Sequence, residues 1–144
     1  MEGTYGPHNA TLTVLTTRAG AAAKAGHDLT IEVGTWEATV TDGEVRLTAD
    51  PHSLRVIDGS GGIKPLDDDD KRNIEQTIRD EILPPDPITY ANGSLTLNGH
   101  TRPVAVAGSR ATVRQSDFGL KPYSALFGTL KVADEVTVDA QVRG

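Results

Sequence analysis

The stretch Leu29-Thr30-Ile31-Glu32-Val33-Gly34-Thr35-Trp36-Glu37-Ala38-Thr39-Val40-Thr41-Asp42-Gly43-Glu44-Val45-Arg46-Leu47-Thr48-Ala49 decides the fold. Its apolar residues are odd-numbered at Leu29, Ile31 and Val33, even-numbered at Trp36, Ala38 and Val40, and odd again at Val45, Leu47 and Ala49. A period of two marks strands with one buried face. A one-residue slip would turn every side chain to the wrong face. A β-bulge or sharp bend is therefore expected near Gly34-Thr35. Asp42-Gly43 then supplies a tight hairpin. Bent strands joined by a hairpin describe a curved antiparallel sheet.

Outward from this stretch the alternation continues. Leu12 and Val14 alternate with threonines, and Leu54 and Val56 follow the central hairpin. Later come Leu95 and Leu97, Val104 and Val106, Leu130 and Val132, then Val136, Val138, Ala140 and Val142. Asn92-Gly93 and Asn98-Gly99 are two more hairpin dipeptides, so consecutive strands are expected to pair up and down. One segment breaks the period: Ile74, Ile78 and Ile82 recur every four residues among charged neighbours, as on an amphipathic helix. Asp67 to Asp70 offer its N-cap, Glu75 and Arg79 form an i,i+4 pair, and Pro84-Pro85 ends it. Gly20 to Gly26 has the composition of a helical turn too short to stand alone. Residues 1–144 thus read as a single, mainly β domain: an antiparallel barrel of about eight strands with one amphipathic α-helix at 70–83 across one end. With six aromatic residues in the chain, its interior is expected to be aliphatic.

Composition excludes several function classes. There is no cysteine, hence no disulfide framework and no thiolate chemistry. The net charge of −6 disfavours nucleic acid or an anionic membrane as the main partner. Most of that charge is local, since eight acids and three bases between Asp67 and Asp86 leave −5 there. Met1 to Pro7 carries neither the basic nor the apolar part of a secretory signal, and no long apolar run follows, so the chain as written reads as soluble and cytoplasmic.

No plain catalytic motif is present. Asp117-Phe118-Gly119 matches a kinase triplet without any of the other kinase elements. Gly59 to Lys64 lacks the spacing of a phosphate loop and meets Pro65 where Ser or Thr belongs. The aspartates at 67–70 lack the ligand spacing of a calcium loop and read as a solvated helix cap. His8, His27, His52 and His100 never pair at metal-ligand spacing. His27 and Asp28 adjoin, but strand neighbours point to opposite faces.

Four blocks carry a resemblance: Lys24-Ala-Gly-His-Asp-Leu29, Gly61-Gly-Ile-Lys-Pro-Leu66, Gly93-Ser-Leu-Thr-Leu-Asn-Gly-His-Thr-Arg-Pro-Val104, and Gln115-Ser-Asp-Phe-Gly-Leu-Lys-Pro-Tyr-Ser-Ala-Leu-Phe-Gly128. Together they resemble the YceI-like family of polyisoprenoid-binding proteins, particularly its actinobacterial branch. The resemblance spans nearly the whole chain, and the last block is the most specific. It implies a lipocalin-like barrel that holds an isoprenoid lipid or isoprenoid quinone, binding or carrying it without catalysis and with no other cofactor. The expected partner is an apolar small molecule or lipid, with no nucleic acid and no stable membrane insertion, and with a homodimer left open. Ligand contacts are expected from Leu12, Val14, His27, Leu29, Ile31, Trp36, Val56 and Tyr90 and from the helix stripe Ile74, Ile78 and Ile82. Phe118, Tyr123 and Phe127 are expected to pack one end. Many relatives are periplasmic or secreted, and this sequence differs in showing no export signal. It differs again between Ile88 and Ser116, where the family usually has another strand and longer hairpins, which implies a trimmed barrel.

Two rival functions stay open on the residues. One is a small barrel hydrolase or isomerase using His27 with an acid brought near by folding. The other is a ligand-free barrel acting as a stress-linked protein-interaction module.

Overall fold

The computed structural model describes residues 2–19, 27–60, 65–125 and 130–143. The chain is mainly β, in antiparallel sheets, with one α-helix. The first half contains β1 (Gly3–Tyr5), β2 (Ala10–Leu15), β3 (Arg18–Ala19), β4 (Asp28–Val33), β5 (Trp36–Thr41), β6 (Glu44–Ala49) and β7 (Leu54–Ser60). Helix α1 (Asp68–Thr77) leads to β8 (Ile88–Ala91), β9 (Ser94–Leu97), β10 (His100–Pro103), β11 (Val106–Ala107) and β12 (Arg110–Arg114). The chain ends with β13 (Ser124–Ala125), β14 (Leu130–Val132) and β15 (Glu135–Val142).

Two six-stranded sheets carry most of the fold. One has the order β1-β5-β6-β8-β9-β10, the other β11-β12-β15-β2-β4-β7, and a small third sheet holds β13-β14-β3. The hairpin dipeptides form as expected: Asp42, Asn92 and Asn98 take φ of 52°, 54° and 53°, each followed by a glycine at positive φ. This is the double left-handed conformation that matches strand twist in a two-residue loop. The stretch between Ile88 and Ser116, expected to be trimmed, holds five short strands, β8, β9 and β10 being joined by such turns at Asn92-Gly93 and Asn98-Gly99.

The chain passes between the two large sheets at short corners: Gly6–Asn9, Gly34–Thr35, Asp50–Ser53 and Val104–Ala105. The phase switch at Gly34 is therefore a sharp bend that moves the chain from one sheet to the other, not a bulge. The corner is tied by Gly34 N–H to the Ser53 carbonyl at 2.8 Å and by Thr35 N–H to Ser53 Oγ at 2.9 Å. The bulge lies elsewhere, where β4 and β7 slip register between Thr30 and Ile31 and leave Ile57 as the extra residue.

Helix α1 begins earlier than expected and does not run to residue 83 as an α-helix. Asp67 caps it, accepting from Asp70 N–H at 2.8 Å while Asp70 accepts from Asp67 N–H at 3.2 Å. After Thr77 the chain makes one π-helical turn, Ile78–Ile82, closed by Leu83 N–H on the Ile78 carbonyl at 2.9 Å. Leu83 is extended because Pro84 disfavours helical backbone before it. The expected Glu75–Arg79 pair does not form. Arg79 donates to Gln76 Oε1 at 3.1 Å, and Glu75 Oε2 accepts the Val56 N–H of β7 at 2.8 Å. The helix thereby covers the free edge of β7, the outer strand of its sheet.

Two apolar clusters anchor the sheets. Ala10, Leu12, Val33, Trp36, Ala38 and Ala49 form one, and Leu97, Val113, Phe118 and Leu120 the other. Ile88 and Val138 touch both.

Candidate functional site

Between the clusters the interior is not filled. A cavity of about 570 Å³ is lined from both large sheets and from the helix. Native cores pack to the density of organic crystals and leave few voids larger than a water molecule. A space of this size falls in the range of ligand pockets, about 300–1,000 Å³.

The lining follows from the period-two alternation. Leu12 and Val14 of β2, Leu29, Ile31 and Val33 of β4, Val45 and Leu47 of β6, and Val136, Val138 and Ala140 of β15 all face this space. The helical stripe Ile74, Ile78 and Ile82 does too, followed by Leu83. Neither helical segment has a fully buried residue, because its apolar stripe meets open volume and not packed side chains. Tyr90 borders the cavity and disposes of its hydroxyl by donating to the Val104 carbonyl at 2.9 Å.

Polar groups enter at a few places. Thr16, Arg18, His27, Gln115 and Tyr123 border the cavity, as do Asp50, Asn73, Thr77, Ser109 and Arg110. Thr16 Oγ1 accepts Leu29 N–H at 3.2 Å, and Gln115 Nε2 donates to the Ala133 carbonyl at 3.2 Å. Asp28, the acid next to His27, is engaged with Arg18, accepting its backbone N–H at 2.8 Å with the guanidinium at 3.8 Å. No buried side-chain polar atom among the described residues lacks a hydrogen-bond partner. No group of three or more His, Asp or Glu residues gathers as a metal centre among them either.

Of the expected contact residues, Leu12, Val14, His27, Leu29, Ile31, Ile74, Ile78, Ile82, Tyr90 and Tyr123 border the cavity. Trp36, Val56 and Phe118 do not. Trp36 is buried at the corner after Gly34-Thr35, where it fills the junction between the sheets. Val56 is buried on the β7 strand that the helix covers. Phe118 is 1 % exposed and packs against Leu97, Val113 and Leu120, with its carbonyl held by Asn98 Nδ2 at 2.9 Å. Phe127 lies outside the described residues, as do Gly20–Gly26 and most of the Gly59–Lys64 connector. Contacts absent from that expectation, notably Val45, Leu47, Leu95, Val136 and Val138, carried the same alternation signal and were recoverable from it. The polar liners Thr16, Arg18 and Gln115 had no periodic signal.

Next to the cavity liners Ser109 and Arg110, Asp139 has a displaced titration. Asp139 is 7 % exposed, and its pKa lies below the ordinary value because Ser109 Oγ donates to it at 2.8 Å. Burial opposes this, while the Gln141 amide at 3.0 Å and the Arg110 guanidinium at 3.5 Å add to it. The carboxylate pins the β11–β12 turn onto β15.

No helix among the described residues is long and apolar enough to cross a membrane. In comparisons with known proteins, no family model matches the chain, and no curated protein matches it significantly.

Proposed function

We propose that this protein binds and carries, or sequesters, an apolar chain-like ligand of the isoprenoid lipid or isoprenoid quinone class in the interior of a lipocalin-like barrel. The observation that carries this is the 570 Å³ interior space with aliphatic walls from both sheets and the helix. The barrel rests on strand pairing: the short corners make β1–β2, β4–β5, β6–β7 and β10–β11 two-part strands, whose partners in the two sheets follow one another around a common interior. The four sequence blocks that resemble the YceI-like family point to the same ligand class.

Capacity sets the ligand's size. A cavity of about 150 Å³ holds one benzene, so this one has room for on the order of twenty carbons, or about four isoprene units. Gross transfer at about 0.8 kcal/mol per CH₂ is large, but ligands of this size retain only about 0.3 kcal/mol per atom. That corresponds to an affinity of about 6 kcal/mol, or tens of micromolar.

Titrating a twenty-carbon isoprenoid alcohol by calorimetry is expected to give saturable one-to-one binding with a negative heat-capacity change. A ten-carbon alcohol should bind at least about tenfold more weakly. Val138→Trp, which places an indole in the cavity, should abolish binding while leaving the melting temperature unchanged or raised. Absence of saturable binding by the folded protein overturns the proposal. The hydrolase or isomerase alternative has less support, since Asp28 beside His27 is already spent on Arg18.

A further inference from the structure

At the β11–β12 hairpin the cavity lining is also exposed, which marks one mouth; the liner Tyr123, beside the small third sheet, is 44 % exposed as well. Val106 borders the cavity and is 48 % exposed, and Arg110 borders it with its side chain 62 % exposed. Both belong to the β11–β12 hairpin, one on each strand. Ala105, Ala107 and Gly108 around it are exposed, as is Arg102 just before it in β10. The register Ala107↔Arg110↔Asp139 brings the C-terminal end of β15 alongside. Val142, 50 % exposed, and Arg143 therefore stand at the same end of the sheet. The acid of this corner, Asp139, is buried and turned onto Ser109, Gln141 and Arg110.

The opposite edge of that sheet has the opposite character. It is β7, covered by α1, and residues 67–86 around this helix carry −5 of the net −6. The molecule is polarised, with an acidic β7 edge and an apolar, arginine-bearing β11 edge at the cavity mouth.

We infer that the rim formed by Val106, Val142, Arg102, Arg110 and Arg143 docks the protein on an anionic lipid bilayer, where ligand enters and leaves the cavity. This rests on the carrier function proposed above. The chemistry favours a lipid surface over a protein partner: the apolar groups are small and lie at the mouth, with no aromatic anchor of the kind that dominates protein interfaces. Arginines at the rim suit phosphate headgroups. The acidic helix at the far edge turns the mouth toward a negative surface. The net charge of −6, which opposes an anionic membrane as a whole, still fits, because attraction acts within a Debye length of the membrane and depends on the face presented.

Co-sedimentation of the whole chain with phosphatidylcholine vesicles, with and without phosphatidylglycerol, tests this. Binding is expected on the anionic vesicles, weakening as salt rises. Each arginine near the surface is worth about five-fold in partitioning, so Arg102→Glu should weaken binding by at least that factor. Val142→Ser should weaken it too, and Asp69→Asn on the helix should not. Equal binding to both vesicle types, binding to neither, or indifference to Arg102→Glu overturns the docking surface. Uptake of the twenty-carbon alcohol without vesicles separates the two ideas. Retained uptake with no vesicle binding removes docking alone, whereas vesicle binding without uptake removes the carrier function and leaves docking.

Discussion

Asp139 ties the β11–β12 turn to β15 through a carboxylate whose pKa is lowered on folding. Its ordinary pKa is 3.8 and folding lowers it, mainly through the Ser109 hydroxyl. A depressed carboxylate contributes stability that is complete above its unfolded value and is lost as pH falls through the folded one. Asp139→Asn is therefore expected to lower unfolding free energy by about 1–2 kcal/mol at neutral pH. The difference from the parent protein should shrink as pH drops below about 4, as read from urea unfolding at a series of pH values. A difference that stays constant down to acid pH contradicts this role. The Gln141 contact follows from i,i+2 spacing on one strand, but the main cause was not legible in the sequence, because Ser109 reaches Asp139 through strand pairing that residue spacing does not encode. Gly34 is the contrasting case. A Cβ there would lie 2.7 Å from the Ser53 carbonyl oxygen. Only glycine allows the two strand corners to cross this closely, and the change of apolar phase around it announced the bend directly.

Among the elements, α1 is the one whose sequence and structural readings diverge most usefully. Its isoleucine spacing identified the stripe that faces the cavity, and its aspartates identified the cap. Its side-chain partners were misjudged because Glu75 has a competing partner outside the helix, the Val56 N–H on the exposed edge of β7. That N–H lies next to the bulge at Ile57, where the ladder with β4 slips. A carboxylate from the helix thus satisfies an edge donor that a sheet would otherwise offer to another chain. Glu75→Ala is expected to cost about 1 kcal/mol and to speed hydrogen exchange at the Val56 amide selectively. Unchanged exchange at Val56, measured by NMR, contradicts the latch. The π-turn after Thr77 was not legible either. It arises where the helix must end against Leu83-Pro84 while keeping Ile78 and Ile82 on the cavity.

At the scale of the whole molecule, strand alternation predicts the walls of the interior but not whether it is full. The same pattern in Leu12, Val14, Val136 and Val138 describes a packed core and a lined cavity equally well. The outcome depends on volume, which is summed over every inward residue. Six aromatic residues in the chain are few, and two of them, Trp36 and Phe118, fill the two packed clusters and not the space between them. The space left over between the sheets is the physical basis of the proposal that the protein is a carrier. An apolar cavity of this size in water-exposed protein is costly to leave empty of contacts, so a matching apolar ligand supplied above the tens-of-micromolar dissociation constant should fill it. Native mass spectrometry of the protein incubated with a twenty-carbon isoprenoid alcohol at a concentration above that dissociation constant tests this most directly. The expected result is a discrete added mass, lost in Val138→Trp. The polypeptide mass alone, persisting after incubation with a twenty-carbon isoprenoid, would contradict it.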